Sequence, residues 1–343
     1  MTFASNHIAV VFPVYNAAAY LEEACRSLMR QRHPAFTVIA VNDGSKDDSG
    51  RILDAVAAKD PRFEVIHQKN GGVSRARNAA LDRIESLGIP WVAFFDSDDC
   101  VQESFLSDYA EALESNQADV AICGWWPFDV RGAVQEPQAP LRSGRLEGCG
   151  AIARQFFSPI REQGMRQPQS STFLNNRCFR AACLAGIRFD EHLRSGEDQE
   201  FFLRVLPRLQ TGVLIPSVNH AYRLRAGSLS KASADRAYEL QCYLQKLEKL
   251  DDYPLEAQVG IEKFTLDCWW QEVRRAYSPG GTRAERASLR LTFERLQRYT
   301  WHFPLSGKYE SRFRRFRMGD WFLRLYFRLR LNRAVRRKTN YYP

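Results

Sequence analysis

Hydrophobic and polar positions alternate in blocks over the first hundred residues. Ile8-Ala-Val-Val-Phe-Pro-Val14, Phe36-Thr-Val-Ile-Ala-Val41, Phe63-Glu-Val-Ile66 and Trp91-Val-Ala-Phe-Phe95 are short apolar runs, and each reads as a buried strand. Between them, Ala17–Gln31 places Leu21, Ala24 and Leu28 at helical spacing. Asp47–Lys59 does so with Ile52, Ala55 and Val56, and Ser74–Ser86 with Ala76, Ala80, Leu81 and Ile84. Ser45 or Asp47 supplies a cap for the second helix. Strand and helix alternating across short links predict βαβ units and a mostly parallel sheet. The right-handed crossovers of such units gather the strand ends on one edge.

A helix near Ser104–Ser115 and a strand over Asp119–Gly124 extend the pattern. Residues 127–148 show no period and read as a loop or irregular hairpin. Residues 150–206 contain further helices, and Val213–Tyr222 one more strand. From about residue 232 the pattern is helical, punctuated by Ser278-Pro-Gly-Gly281. The expected organisation is an α/β domain over 1–230 and a smaller, mainly α-helical region over 231–343.

Each of the four early strands runs into a polar signal: Tyr15-Asn16, Asn42-Asp43-Gly44-Ser45, His67 to Asn70-Gly71-Gly72, and Asp96-Ser97-Asp98-Asp99. In an open parallel sheet the crevice outside the carboxyl ends of the strands is where ligands bind. Four polar strand ends in succession, the last a carboxylate cluster, describe a nucleotide and metal site. If strand alternation continues, Asp96 and Asp98 face the same way, a pairing suited to a hard divalent cation that takes phosphate oxygens as further ligands. A solvated acidic turn capping the next helix is the competing reading. Asp43 can accept hydrogen bonds from a base or ribose, or simply cap a turn. Asn70 to Asn78 is a glycine turn opening a helix, with Arg75 and Arg77 able to favour anions. Glu197-Asp198 is either a helix-start pair, with Ser195 as its cap, or the source of a general base.

Composition narrows the class. The chain has 343 residues, 45% hydrophobic and 26% charged, ordinary values for a globular protein. No apolar run approaches the ~20 residues that span a bilayer, and the first residues lack the pattern of a signal peptide. Eight scattered cysteines without a C-x-x-C pair argue against zinc and for a reducing compartment. The net charge of +9 is concentrated at one end. Residues 311–343 carry eleven Arg or Lys against one acid, Asp320, for a net +10, and the rest of the chain is near neutral at −1.

Together these segments resemble the successive motifs of family 2 glycosyltransferases: Val11-Phe-Pro-Val-Tyr-Asn16, Val41-Asn-Asp-Gly-Ser45, Asn70-x-Gly72-x-Ser74-x-Ala76-Arg77-Asn78, Phe94-Phe-Asp-Ser-Asp-Asp99 and Gly196-Glu-Asp198. Asn176-Arg-Cys-Phe179 through Glu191 resembles the lead-in to the last motif, with Arg177 where the family often has Lys. The resemblance implies a GT-A, Rossmann-like fold and inverting transfer from a nucleotide-sugar. Pro13, Tyr15 and Asn16 would line the nucleotide pocket, and Asp43 would contact uracil or ribose. Arg77 and Ser97 would lie on the donor side, Asp96 would meet the ribose or sugar, and Asp98 with Asp96 would hold Mn²⁺ or Mg²⁺. Asp198 would be the base, with Glu197 beside it at the acceptor. Arg223, Arg225 and Ser228 would contact the diphosphate, while His220 reads as a strand-end histidine with metal ligation as the alternative. Gln271-Glu-Val-Arg274-Arg275 lacks the Trp of the Q-x-x-R-W sequence in processive synthases, so addition of one sugar is expected.

The implied partners are a UDP-sugar and a glycan or glycolipid acceptor, lipid-linked or on a surface polysaccharide. The tail interleaves arginines with Trp321, Phe322, Tyr326 and Phe327, a composition suited to an anionic membrane surface. The alternative is a packing or dimer segment. No nucleic-acid motif is present. The expected location is cytoplasmic, peripheral on the inner face of the membrane, with homo-oligomer formation left open. Competing functions are a nucleotidylyltransferase of related fold and a non-catalytic sugar-nucleotide-binding scaffold.

Overall fold

The structure is a computed structural model and describes residues 3–129, 144–157, 174–193, 196–224, 236–277 and 281–298, with the pairs 311–312 and 315–316. The chain divides into two compact units, Met1–Ala234 and Asp235–Pro343.

Among the described residues the first unit is built on a nine-stranded sheet. β1 (Ile8–Val14), β2 (Phe36–Asn42), β3 (Phe63–His67) and β4 (Trp91–Phe94) are mutually parallel, in the spatial order β3-β2-β1-β4. All seven residues of β1 are buried, as a strand covered on both faces must be, and its unbroken apolar run reflects that. Helices α1 (Ala18–Met29), α2 (Ser49–Ala57) and α3 (Val73–Leu87) make the crossovers. α1 turns Leu21, Ala24, Cys25 and Leu28 into the core. The chain winds outward from β1 to β3 and then returns across it to β4. That reversal creates the switch point at which open sheets of this kind bind ligands.

Beyond β4 the order continues β8-β6-β9-β5, with β7 on the flank of β9. β5 is Cys100–Val101, β6 Val120–Asp129, β7 Gly144–Glu147, β8 Arg177–Arg180 and β9 Thr211–Leu224. β8 is antiparallel to both β4 and β6. It was not expected as a strand, and it separates β4 from the parallel pair β6 and β9. Of the 127–148 segment, read as a loop or irregular hairpin, the described ends are sheet: β6 continues to Asp129 and β7 pairs antiparallel with β9. The remaining helices of this unit are α4 (Phe105–Asn116), α5 (Gly148–Phe157), α6 (Ala181–Leu184) and α7 (Glu197–Val205).

The second unit contains α8 (Arg236–Leu247), α9 (Leu255–Ala276) and α10 (Arg283–Arg298). Trp269 of α9 stacks on Phe293 of α10 at 5.5 Å, and Phe316 packs edge-on to Trp269 at 5.0 Å. Thr282 and Glu285 form a reciprocal capping box at the start of α10. Apart from residues 311–312 and 315–316, the basic tail lies outside the described residues. Among the described residues no helix is long and apolar enough to cross a membrane.

Candidate active site

The acidic segment after β4 is a turn, not a continuation of the strand. β4 ends at Phe94, and the Asp99 amide donates back to the Asp96 carbonyl at 3.2 Å. Strand alternation therefore does not set the directions of Asp96 and Asp98. Asp96 is held from two sides: Arg77 Nη2 donates to Oδ1 at 3.2 Å and Asn175 Nδ2 to Oδ2 at 2.7 Å. Asp99 is buried and serves as the anchor of the turn. It accepts from His220 Nε2 at 2.8 Å and from the Arg223 amide at 2.9 Å, both on β9. His220 is thus engaged with a carboxylate at the strand end.

Arg223, expected at a diphosphate, is committed inside the protein. Its Nε donates to the Asp98 carbonyl at 2.6 Å and its Nη2 to Glu23 at 2.6 Å. Its guanidinium lies over the rings of Phe128 and Tyr20 at 4.4 and 5.0 Å. A buried guanidinium so engaged braces the acidic turn from beneath. Arg225 and Ser228 lie outside the described residues, as does Ser195.

Arg77 is the centre of the site. It is 3% exposed, and its Nη1 reaches Asp198 Oδ1 at 2.7 Å and Glu197 Oε1 at 3.1 Å while Nη2 reaches Asp96. One cation therefore serves three carboxylates drawn from two motifs far apart in the chain, Asp96 after β4 and Glu197-Asp198 at the start of α7. Burial raises the Asp198 carboxyl to about 7; Arg77 opposes the rise, and the charges of Glu197 and Asp96 add to it. A hydrogen bond from the Leu174 amide also acts to lower it. With its side chain still 17% exposed, Asp198 is a reachable carboxylate poised near neutrality, the property a general base needs.

The packing below explains why α7 brings its acids here. Gly196 precedes the helix at φ 72°, a left-handed conformation that turns the chain into it. Phe201 of α7 stacks on Phe189 at 4.0 Å, and both meet Phe94 of β4 edge-on at 5.9 Å. Asn78, one residue beyond Arg77, clamps the Phe189 backbone through both amide atoms, at 2.7 and 3.0 Å. The Arg77 guanidinium also sits 5.2 Å over the Phe189 ring. α3, the 187–191 segment and α7 are therefore packed as one block.

Asp43 organises the opposite lip. Its carboxylate accepts from the amides of Gly71 and Gly72 at 2.9 and 2.8 Å and from Gln68 Nε2 at 2.7 Å. Most of its acceptor capacity is spent on the glycine turn that starts α3. Gly44 next to it has φ 69°, and a Cβ there would lie 2.7 Å from the Asn70 amide nitrogen, so only glycine fits. Pro13 is buried within β1 opposite Val41. Tyr15 is 47% exposed at the lip. Asn16, at φ 47°, joins the ends of β1 and β2 by accepting from the Lys46 amide at 2.8 Å. Ser97 and Asp98 are partly exposed in the acidic turn. Asn175, Leu174 and Glu23 were not singled out from sequence, and Asp99 was read only as part of the acidic cluster. Their partners lie far along the chain, and no local spacing announces them.

Among the described residues no three His, Cys, Asp or Glu side chains converge to cage a metal. A hard divalent cation does not require such a cage, because it takes one or two carboxylates together with waters and substrate phosphates. Two aspartates on one turn, Asp96 and Asp98, fit that donor set.

A β3-β2-β1-β4 parallel sheet with an acidic turn at its switch point defines a GT-A-type fold. A model of the family described as glycosyl transferase family 2 matches residues 9–190, more than half of the chain, and the chain belongs to that family. It is 28% identical over 270 residues to the uncharacterized glycosyltransferase EpsJ of Bacillus subtilis (strain 168), covering 76% of this chain and 74% of EpsJ. It is 27% identical over 238 residues to the minor teichoic acid biosynthesis protein GgaB of the same organism, covering 67% of this chain and only 24% of GgaB. Likewise it spans 37% of the Streptococcus pneumoniae glycosyltransferase GlyA, at 26% identity over 76% of this chain. Among solved structures, residues 1–349 of S. aureus TarS in complex with UDP-GlcNAc share the fold with a TM-score of 0.57 and 23% identity, over 76% of this chain and 71% of that one.

Proposed function

We propose that this protein is an inverting glycosyltransferase that moves one sugar from a UDP-sugar to a hydroxyl of a lipid-linked or surface-polysaccharide acceptor. The observation that carries the reading is the Arg77 junction, which ties Asp96 of the acidic turn to Glu197 and Asp198 at the start of α7 within 3.2 Å. Donor-side and acceptor-side groups thereby share one rigid centre. A UDP-sugar in TarS and a teichoic acid role for GgaB support the substrate classes.

In this reading the nucleotide lies against Tyr15 and Asn16 at the end of β1, and its sugar extends toward Asp96. Asp198 takes the proton of the acceptor hydroxyl as the oxygen attacks the anomeric carbon. The bond from that carbon to the diphosphate oxygen breaks, and its electron pair leaves with UDP. The sugar carbon passes through oxocarbenium character as in glycoside hydrolysis, and one displacement inverts it. Arg77 keeps the base oriented, and Glu197 lies beside it on the acceptor side. Asp98 with Asp96 would hold Mn²⁺ or Mg²⁺, which when bound supplies positive charge against the departing diphosphate.

The test is a UDP-release screen across UDP-glucose, UDP-galactose, UDP-GlcNAc and UDP-GalNAc, with Mn²⁺ or Mg²⁺ and with EDTA. Donor-dependent UDP release that disappears in EDTA is expected. Pyrophosphate release instead would indicate nucleotidyl transfer, and release insensitive to EDTA would remove the metal from the scheme. The proposal also assigns the basic 311–343 segment to an anionic membrane surface. Co-sedimentation with phosphatidylglycerol vesicles, reversed by salt, is the expected behaviour, and equal binding to neutral vesicles would contradict it.

A further inference from the structure

The dipeptide Leu174-Asn175 touches both halves of the centre. The Leu174 backbone lies close enough to the Asp198 carboxyl to oppose its rise. The Asn175 side-chain amide donates to Asp96 Oδ2 at 2.7 Å and, more weakly, to Asp99 Oδ2 at 3.4 Å. Asn175 is 1% exposed, and its Oδ1 is buried with no hydrogen-bond partner. An unmet buried carbonyl is costly, yet flipping the amide would aim that oxygen at two carboxylates. The acids therefore fix the amide's orientation, and the orphaned oxygen is the consequence. Arg77 and Asn175 grip the two oxygens of Asp96 separately, which leaves the carboxylate one orientation. Asp99 is held to β9 through His220 and Arg223, so Asn175 also references Asp96 to the fixed base of the turn.

We propose that Asn175 is a positioning residue for the transfer reaction: it locks the Asp96 carboxylate in the orientation that receives the donor. This rests on the reading of the site as a UDP-sugar site. The donor sugar does not touch Asn175; it meets Asp96, and the amide acts through that carboxylate.

The full-length wild type, Asn175→Ala, Asn175→Ser and Asn175→Asp are compared by titration calorimetry with UDP in the presence of Mn²⁺ and by donor KM and kcat in the UDP-release assay. Circular dichroism melts report the fold. Loss of a hydrogen bond to a charged group predicts weakening of about tenfold or more. For Asn175→Ala that weakening appears in UDP affinity and in donor KM, with a smaller change in acceptor KM. Asn175→Ser retains one donor and recovers part of the loss, whereas Asn175→Asp adds a third carboxylate and is the weakest binder. A merely structural role would lower the melting temperature and the active fraction while leaving KM and UDP affinity of the folded fraction unchanged. That result, or wild-type UDP affinity in Asn175→Ala, overturns the inference. A wild-type protein that binds no UDP and releases none overturns instead the UDP-sugar reading beneath it.

Discussion

Replacing Arg77 by methionine removes the cation bonded to three carboxylates while keeping a side chain of similar length over Phe189. Breaking a buried ion pair from one side costs roughly 3–5 kcal/mol. The three acids keep 32, 16 and 17% of their side-chain exposure, so water screens part of that cost and about 3 kcal/mol is the working figure at pH 8. For a unit of this size that corresponds to a fall in melting temperature of about 6–12 °C. The pH dependence is the specific signature. Without Arg77 the Asp198 carboxyl rises further, because the charge that opposed its rise is gone. Asp198 then protonates at higher pH than in wild type, and the deficit against wild type narrows as pH falls from 8 through about 7. Arg77→Lys has a single ammonium that cannot fork across three partners and recovers less than half of the loss. The assay is a melt of full-length wild type and variants at each half pH unit. A deficit below about 1 kcal/mol, or one that does not change with pH, would refute the assignment of Arg77 as counter-charge to all three acids.

Asp198 rises from its ordinary 3.8 to about 7, so transfer climbs as pH increases through about 7, where the base becomes ionised; a rate profile flat from pH 5 to 8 excludes it as that base. The same rise means that Asp198 contributes stability below about pH 4 that is lost as pH climbs through about 7; Asp198→Asn removes that slope from a stability-versus-pH series. Gly44→Ala forces a Cβ to 2.7 Å from the Asn70 nitrogen at φ 69° and costs about 1–3 kcal/mol; chemical denaturation measures it, and an unchanged midpoint contradicts the close approach. Phe201→Ala opens the stack on Phe189, lowers stability by about 3–5 kcal/mol and reduces kcat in the folded fraction by loosening α7; wild-type turnover in that fraction would separate the stack from the site.

The parts of this architecture that can be read from sequence are those set by local burial. β1 to β4 are continuous apolar runs because both faces are covered, and α1 to α3 show their buried stripe at helical spacing. β8 gives no such signal: it is four residues with arginines at both ends, and Arg177 is buried with its Nη1 donating to the Asn176 side chain. The site divides the same way. Asp43, Arg77, Asp96, Asp98, Glu197 and Asp198 stand out as charged residues at element ends. Their engagements depend on neighbours far along the chain. Asp43 spends its carboxylate on the Gly71 and Gly72 amides because β2 lies beside β3. Arg223 turns inward because Glu23 and the Asp98 carbonyl receive it there. Asn175 works only because Asp96 and Asp99 are already fixed, and an asparagine beside Asn176, just ahead of a short strand, carries no mark of that.

Asp198→Asn tests the central claim most directly. The substitution keeps the shape of the side chain while removing its capacity to take a proton and its charge toward Arg77, and because the donor side is untouched UDP affinity in Mn²⁺ stays within about twofold of wild type. Removing a positioned general base predicts a fall in sugar transfer of about 10²–10⁴-fold. Measured side by side on the full-length protein, intact UDP binding with lost transfer is the predicted result. Transfer at the wild-type rate by Asp198→Asn would contradict the account.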